Sequence, residues 1–392
     1  MRIALVTPML PSARDLTRGR YILETAAGLS RLAQVRVFHQ TNRFPVPNRL
    51  ASKHLVAAEK DDTLRGLDVE AFAYPSVPFA TRLLNGFTGS RFLTPRVRAF
   101  APDMILAYWV YPDGFAAVRS ARYLQVPCVV GALGSDIHVR SGLVSLLTAR
   151  TIREADALLT VSDAMREAAI RDFRADPTRV HTVINGFNTN VFYPRCRLAA
   201  RRGLDLAESD RLIIYVGRFV EAKGLAELIE AFKMLSHRDA RYRLALVGDG
   251  AMRAQLSGMI ARAGLGTKVI LTGGLPPAAV AEWIGAADVL TLPSWSEGYP
   301  NVVVEAIACG RPVVATDVGG TREIVNQTNG IMIPPRNADA LCSALESAIQ
   351  REWDHAAIAE AMKRTWDDVA AETLAICEAV LKCSSSGKPT FK

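Results

Sequence analysis

The sequence lacks the cysteine pairs that build zinc sites or disulfide frameworks. Its six cysteines are scattered, none forms a CxxC pair, and none stands at zinc-finger spacing from a histidine. We therefore expect reduced thiols in a cytoplasmic protein. Long apolar runs are also missing, since none approaches the ~18 residues that span a membrane. Residues 1–15 predict a first β-strand rather than a signal peptide, because a short apolar run gives way to prolines and charges.

Charge is spread unevenly over a chain of otherwise ordinary globular composition. The 392 residues are 49% apolar and 22% charged, and the length allows two or three domains. Residues 1–190 carry 24 Lys and Arg against 16 Asp and Glu, whereas residues 191–392 carry 23 of each. The net charge of +8 therefore belongs to the first half. Such an imbalance indicates an anionic partner: a membrane surface, a lipid-linked phosphate or nucleic acid.

Short apolar runs alternate with helical periodicity in both halves of the chain. An apolar run over residues 3–7 ends at Pro8, a helical stripe starts at Ile22, and residues 35–38 alternate as the next strand. Together they predict a βαβ unit. The pattern restarts at residues 212–216. The runs are too short and too apolar for a β-sandwich. The sequence therefore predicts an α/β protein with two Rossmann-like domains.

Composition also suggests where the domains end. We expect a first domain over residues 1–188, a basic and turn-rich linker over residues 189–210, and a second domain over residues 211–365. Helical periodicity resumes from Ala338, and residues 384–392 are expected to be a disordered tail.

Two carboxylates dominate the second half. Glu297 follows an apolar strand within a polar loop. Glu305, with seven residues between the two, lies about two turns into a helix that starts near Pro300. A strand, a polar loop and a helix N-terminus can bind an anion, because amide groups and the positive end of the helix dipole meet there. The loop carboxylate could hold sugar hydroxyls and the helical one a ribose diol. The alternative is an ordinary strand–loop–helix with a glutamate near the dipole.

Two cations occupy a second strand-to-helix loop, GRFVEAKG at residues 217–224. Arg218 and Lys223 flank this loop and could be aimed at one diphosphate, although two solvated side chains are the alternative. It is not a Walker A loop, because Ala222 precedes the lysine and no Ser or Thr follows it. Gly248 opens a further glycine turn that lacks the third glycine of a dinucleotide fingerprint.

The stretch EGYPNVVVEAIACGRPVVATDVGG resembles the Glu-x7-Glu signature of retaining glycosyltransferases of family 4, group 1, and the similarity extends more loosely over nearly the whole chain. The resemblance implies the GT-B fold, with two Rossmann-like domains facing across a cleft and a terminal helix, over residues 366–383, packed back on the first. It implies transfer of a sugar, with retention of configuration, from a UDP- or GDP-sugar to a glycan or lipid-linked acceptor. A cell-surface polysaccharide or glycolipid pathway, in the cytoplasm or peripherally at the inner face of the plasma membrane, is expected.

The resemblance also implies roles for individual residues. Glu297 would hold the transferred sugar and Glu305 the ribose, while Arg218 and Lys223 neutralise the diphosphate. No Asp-x-Asp pair follows a strand, so we expect no metal cofactor. The predicted catalytic residues are Glu297, Asp136, Arg218 and Lys223. The other expected donor contacts are Gly19, Gly217, Gly248, Gly298, Tyr299, Asn301 and Val302, the last three through helix N-terminal amides.

The first domain departs from the family pattern in two places. Many members have adjacent glycines where this chain reads Arg-Gly-Arg around Gly19, and many have a histidine where this chain has Leu133. His138 follows Asp136 by two residues, so it does not inherit that role directly, and a cap or surface histidine is the alternative. Asp136, His138 and Ser162 are expected on the acceptor side, although Ser162 also has the position of a helix cap.

Residues 72–100 combine arginines with aromatic and aliphatic residues and contain no acidic residue. Arg82 and Arg91 are further candidates for the acceptor side. A segment of this kind suits an anionic membrane surface or a lipid phosphate, whereas core-facing helices with solvated arginines are the alternative. Nucleic acid is not an expected partner, because no RNP, KH or helix-turn-helix pattern accompanies the segment.

Other functions are open on the same scaffold. A GT-B nucleotide-sugar epimerase would need an acid and a base around the sugar ring, and no such pair is identifiable; a sugar-phosphate synthase is a related alternative. A non-catalytic protein that binds a sugar nucleotide or a membrane surface is the alternative of a different class. Leu133 is the one hint in its favour, and the presence of both glutamates and both cations argues against it.

Overall fold

The computed structural model describes residues 1–11, 18–43, 64, 66–76, 83–134, 136–137 and 142–385. These residues form two compact units. The first consists of Met1–Asn185 together with Trp366–Lys392, and the second of Gly186–Thr365.

The first unit is built on a parallel sheet of seven strands. They are β1 (Arg2–Thr7), β2 (Gln34–Arg43), β3 (Val69–Pro75), β4 (Met104–Tyr108), β5 (Cys128–Ala132), β6 (Ala157–Thr160) and β7 (Val180–Thr182). Their spatial order is β3-β2-β1-β4-β5-β6-β7, so the winding reverses between β1 and β4. Doubly wound folds bind ligands at the carboxyl edge near such a reversal.

Helices cover both faces of this sheet, which explains why the strand residues are apolar without alternation. They are α1 (Arg20–Leu32), α2 (Asn85–Phe100), α3 (Phe115–Leu124), α4 (Gly142–Glu154) and α5 (Asp163–Phe173). Helix α3 packs against both α2 and α4. The core consists of residues from the central strands and the inner face of α1, including Leu5, Leu29, Val37 and Leu106.

The second unit repeats the plan with six parallel strands. They are β8 (Arg211–Val216), β9 (Tyr242–Val247), β10 (Val269–Gly273), β11 (Val289–Leu292), β12 (Val313–Thr316) and β13 (Gly330–Ile333), in the order β10-β9-β8-β11-β12-β13. The helices are α6 (Arg197–Gly203), α7 (Leu225–Arg238), α8 (Arg253–Arg262), α9 (Pro277–Ala286), α10 (Asn301–Ala308), α11 (Ala338–Gln350) and α12 (His355–Glu360). The winding reverses between β8 and β11, which are neighbours in the sheet.

The last helix, α13 (Trp366–Ser385), returns to the first unit and packs along α1. Gly28 of α1 permits the contact, because a Cβ at this position would lie 2.6 Å from the Cβ of Ala370. The predicted return of the terminal helix is thereby confirmed. The predicted tail lies outside the described residues, apart from its first two residues, which belong to α13. No helix in the described part of the chain combines the length and apolarity needed to cross a membrane.

Residues 189–210, predicted as a linker, belong to the second unit and contain α6, which packs on α9. The buried Arg201 fastens this segment. Its guanidinium donates to the carbonyl oxygens of Ala286 at 3.0 Å and Glu208 at 2.7 Å, and to Oδ2 of Asp288 at 2.7 Å. Asp288 also accepts from the backbone N–H of Leu212 at the start of β8, at 2.6 Å. Asp288, which also pairs with the less buried Arg197, therefore joins the segment to the sheet.

Replacing Asp288 with alanine should lower the free energy of unfolding of the second unit by about 3–5 kcal/mol, because Arg201 would remain buried without a carboxylate. Urea denaturation measures the loss. Glu208→Ala is the matched control, since its side chain pairs with the exposed Arg202 and should cost at most about 1 kcal/mol. Equal losses in the two variants would contradict a central role for the buried pair.

Candidate functional site

Glu297 and Lys223 meet at the carboxyl edge of the second sheet. Glu297 lies in the loop between β11 and α10, and Lys223 in a short 3-10 turn between β8 and α7. The lysine Nζ donates to Oε1 of Glu297 at 2.5 Å, and both side chains are largely buried. Because β8 and β11 are adjacent parallel strands, their loops emerge side by side. The structure thus brings together two predicted site residues that are 74 positions apart.

Direct backbone packing holds these two loops together. Gly224, which precedes α7, has a φ of +65°, and a Cβ there would lie 2.0 Å from the carbonyl oxygen of Pro293. The backbone N–H of Trp295 donates to the carbonyl oxygen of Ala222 at 2.8 Å. No side chain fits between the loops at position 224, so glycine is required for the close approach of Lys223 to Glu297.

The loop after β12 supports Glu297 from another direction. Gly319 has a φ of +51°, and a Cβ there would lie 1.9 Å from the carbonyl oxygen of Glu297. The N–H of Gly320 donates to the carbonyl oxygen of Gly298 at 3.0 Å. This glycine pair ends the stretch that resembles the family signature, but no place in the site was predicted for it. A glycine pair directly after a buried strand is the signal that could have identified it.

Arg218 lies one residue beyond Gly217, where β8 has ended, and its side chain is exposed. Its carbonyl oxygen accepts from the hydroxyl of Tyr215 at 3.0 Å. Burial, together with the nearby carboxylate of Glu297, raises the pKa of Tyr215 well above its usual value, so the hydroxyl remains a donor. In the described part of the chain the guanidinium of Arg218 has no carboxylate partner. It is thus a cation available to a ligand.

Gly248, at the carboxyl end of β9, packs against the same loop. Its φ is +142°, and a Cβ there would lie 1.9 Å from the carbonyl oxygen of Gly217. The adjacent N–H of Phe219 donates to the carbonyl oxygen of Asp249 at 2.8 Å. The predicted donor glycines Gly217 and Gly248 are therefore in mutual backbone contact, which requires glycine at position 248 independently of any ligand.

Helix α10 presents its N-terminus at the same edge. Asn301 and Val302 form its first turn, at the positive end of the helix dipole, and the half-buried Glu305 lies in the second turn. Tyr299 is buried just before the helix, and burial, reinforced by the Glu323 carboxylate, raises its pKa to about 12. Its hydroxyl is therefore a neutral hydrogen-bonding group at physiological pH.

Trp295 extends this site on the side of α7 and was not predicted. Its indole N–H donates to Oε1 of Glu227 at 2.9 Å, and the guanidinium of Arg336 lies 4.1 Å from the centre of its ring. Its position two residues before Glu297 is the sequence signal that could have identified it.

In the first unit, Gly19 begins α1 with a φ of +67°. A Cβ at this position would lie 2.5 Å from the carbonyl oxygen of Met9, in the loop after β1. The backbone itself therefore requires this glycine. Its predicted contact with the donor stays a prediction.

Asp136 is a predicted catalytic residue, and in the structure its carboxylate is hydrogen-bonded to the backbone. Its carboxylate is buried and accepts from the backbone N–H groups of Leu133 and Gly134, both at 2.9 Å, and of Val110 at 3.2 Å. Burial outweighs these donors and raises the pKa of Asp136 above its ordinary value. Because both oxygens are engaged with the backbone, the geometry favours a positioning role: Asp136 ties the loop after β5 to the turn after β4.

The remaining predicted acceptor-side residues do not cluster among the described residues. The hydroxyl of the buried Ser162 accepts from the N–H of Met165 at 3.3 Å and caps α5, which is the alternative that the sequence offered. Arg91 is exposed on α2. His138 and Arg82 lie outside the described residues. Leu133 lines a small pocket with Tyr108, Thr160, Asn185 and Thr373.

Asp113 is a buried carboxyl for which no role was predicted from the sequence. It lies in the turn between β4 and α3, beside the winding reversal of the first sheet, and Nε2 of Gln40 donates to its Oδ1 at 2.6 Å. Burial raises the pKa of Asp113 to about 7, although the hydrogen bond from Gln40 lowers it. This carboxyl therefore changes charge near neutral pH.

Nowhere in the described ranges do three or more His, Cys, Asp or Glu side chains stand together in a way that could hold a metal ion. The cations at the carboxyl edge of the second sheet are the charges that an anionic ligand would meet.

Each half of the chain matches a model of a known protein family. Residues 19–191 match the family model described as Glycosyltransferase Family 4, and residues 197–365 match the model described as Glycosyl transferases group 1. TuaC of Bacillus subtilis, whose name places it in teichuronic acid biosynthesis, is 33% identical over 258 residues, covering 64% of this chain and 62% of TuaC. A D-inositol 3-phosphate glycosyltransferase of Xylanimonas cellulosilytica is 29% identical, covering 57% of each chain. The chain spans about 60% of the length of these relatives.

Solved structures resemble the chain over almost its whole length. Sucrose-phosphate synthase of Thermosynechococcus elongatus has a TM-score of 0.76 at 20% identity, covering 98% of this chain and 100% of that one. HepE of Anabaena, solved in complex with UDP-glucose, has a TM-score of 0.73 at 19% identity with the same coverage. At such identities the likeness establishes the fold. It confirms the predicted α/β architecture of two Rossmann-like domains.

Asp113 should make the stability of the first unit depend on pH. Its pKa rises from 3.8 to about 7 on folding, so the native state binds the proton more tightly and loses stability as pH rises through this interval. Relative to Asp113→Asn, the native protein should lose roughly 4 kcal/mol between about pH 4 and pH 8, at about 1.4 kcal/mol per unit. Urea denaturation across this range measures the difference. Asp103→Asn is the control, and a parallel pH profile for Asp113→Asn would contradict the assignment.

Proposed function

Because the two halves of the chain match the models of glycosyltransferase family 4 and group 1, we propose that it is a GT-B glycosyltransferase of this family, which transfers a sugar from a nucleotide-diphosphate donor to an acceptor with retention of configuration. The observation that carries the proposal is the contact of 2.5 Å between Lys223 and Glu297 at the carboxyl edge of the second sheet. A cation and a carboxylate held at hydrogen-bond distance from each other match the two ends of such a donor, the diphosphate and the sugar.

The diphosphate would be bound by fixed positive charge. Lys223 pairs with Glu297 and would turn its ammonium toward the phosphates, while the exposed Arg218 supplies a second cation. The first-turn amides of α10, at Asn301 and Val302, add the positive end of a helix dipole. When the bond between sugar and phosphate breaks, negative charge develops on the leaving diphosphate. Preorganised cations and dipoles stabilise that charge without needing to reorganise.

Glu297 would position the transferred sugar by accepting hydrogen bonds from its hydroxyls. Its backbone is fixed from two sides, by the loop of Lys223 and by Gly319, so its carboxylate returns to one place. Glu305, in the second turn of α10, would hold the ribose diol, and Gly298 and Tyr299 would line the site between the two glutamates. We assign no protein nucleophile or general base; the leaving phosphate itself would take the proton of the acceptor hydroxyl.

The proposed donor is a UDP- or GDP-sugar, and the proposed acceptor is a glycan or lipid-linked sugar of a cell-surface polysaccharide or glycolipid. The name of TuaC and the UDP-glucose in the HepE structure support this class. The basic first half supports an acceptor that carries phosphate.

Donor binding is tested by calorimetry with UDP, GDP, ADP and their sugar derivatives, in the absence of metal. One nucleotide should bind clearly, and Lys223→Ala should weaken it about 10- to 100-fold, because a charge-assisted hydrogen bond is worth about 1.5–3 kcal/mol. Lys233→Ala, an exposed lysine of α7, is the matched control and should bind normally. Absence of nucleotide binding, with or without magnesium, would refute the proposed function.

Glu297→Gln separates catalysis from binding. The amide keeps the size of the side chain but loses the charge that accepts from sugar hydroxyls, so turnover should fall about 100-fold or more while nucleotide affinity changes by less than about threefold. Turnover is followed as release of the nucleoside diphosphate. Unchanged turnover would exclude Glu297 from the reaction, and a wild-type protein that binds nucleotide without any turnover would be a binding protein.

A further inference from the structure

Helices α2, α3 and α4 form one layer on the first unit and run in the same direction. Near their starts, the ring of Phe87 on α2 lies 4.8 Å from that of Phe115 on α3. Near their ends, the guanidinium of Arg98 on α2 lies 4.9 Å from the centre of the Tyr123 ring on α3. Helix α4 also ends beside the end of α3, where Glu154 pairs with an arginine of α3 at 2.8 Å.

The outer surface of α2 changes from apolar to basic along its length. Leu84, just before the helix, and Phe87 in its first turn are exposed, and Arg91 and Arg98 follow on the same stripe. The spacings of three, four and seven residues place all four side chains on one face of the helix.

Helix α4 repeats this arrangement in parallel. Leu143 and Leu146, in its first turns, are both more than half exposed, and Arg150 and Arg153 follow at the same helical spacing. Tyr123 of α3, also more than half exposed, lies between the two basic ends. The layer therefore has apolar side chains at one edge and arginines toward the other.

Most of this positive charge has no carboxylate partner. The three helices contain seven arginines and one carboxylate, Glu154, which pairs with arginines of α3 and α4. Arg91, Arg98, Arg119 and Arg153 have no carboxylate partner within the described ranges. In the second half of the chain, by contrast, Lys and Arg equal Asp and Glu in number. The excess charge of the chain is thus concentrated on one surface.

We propose that this surface, the exposed stripes of α2, α3 and α4, binds an anionic phospholipid bilayer. The arginines would lie at the depth of the lipid phosphates, and the leucines and aromatic rings would enter the boundary between headgroups and acyl chains. A nucleic acid would use the arginines alone, because its phosphate backbone offers nothing to four exposed apolar side chains. The combination of both kinds of side chain favours a membrane.

The apolar ends of α2 and α4 lie at the carboxyl edge of the first sheet, because each of these helices follows a strand that runs toward that edge. The loops after β1 and β5, which contain Gly19 and Leu133, emerge at the same edge. A bilayer on this surface would present lipid-linked molecules where the first unit places those loops. This last step, an acceptor taken from the membrane, rests on the proposed function; the membrane surface itself does not.

Flotation of the full chain with phosphatidylcholine vesicles, with and without phosphatidylglycerol, tests the proposal. The native protein should float with the anionic vesicles and be released by salt. The double variant Arg98→Glu/Arg153→Glu should lose about 25-fold or more in partitioning, since one cation is worth roughly fivefold. Lys233→Glu/Arg262→Glu makes the same charge change on exposed residues of the second unit and should float normally.

A second variant, Leu143→Ser/Leu146→Ser, tests the apolar contribution at unchanged charge and should release the protein at lower salt than the native chain requires. Failure of the native protein to float, or equal losses in the test and control double variants, would overturn the proposal. Stronger binding to a DNA or RNA duplex than to anionic vesicles would also overturn it. Because nucleotide binding by the Arg98→Glu/Arg153→Glu variant should be unchanged, failure here is distinguishable from failure of the proposed function.

Discussion

The second unit depends on contacts between backbones, where no side chain fits. Gly224 against Pro293 and Gly319 against Glu297 bring three strand-end loops into van der Waals contact at one edge of the sheet. Both glycines have positive φ angles, which glycine adopts readily and residues with a Cβ rarely adopt. The ion pair of Lys223 with Glu297 follows from this packing, because long flexible side chains hold one geometry only where their backbones are fixed.

The first unit uses buried carboxylates for a similar purpose. Asp136 accepts hydrogen bonds from three backbone N–H groups and thereby fixes the loop that contains Leu133. Asp113, with Gln40, occupies the turn after β4. Both carboxyls have raised pKa values because burial disfavours the charged form. Polar groups near the carboxyl edge of this sheet are thus engaged with the protein itself.

Sequence patterns were sufficient for the fold, but not for the direction in which some side chains point. Strands followed from short apolar runs, whereas the roles of Glu297 and Glu305 stay predictions. For Asp136 the sequence could not reveal the backbone hydrogen bonds, because a carboxylate in a polar loop looks the same whether it faces solvent or backbone donors. The segment around Arg201 resembled a linker because its partner, Asp288, lies 87 residues away and no local pattern reveals the pair.

Helix α13 has a consequence for how the chain is made. Its residues Val369, Ala370 and Cys377 belong to the core of the first unit, yet they are synthesised after the entire second unit. Until they arrive, the side of α1 around Gly28 has no cover. The first unit therefore stays incomplete while the second unit is synthesised. The last helix completes a core whose first residues were made some 350 residues earlier.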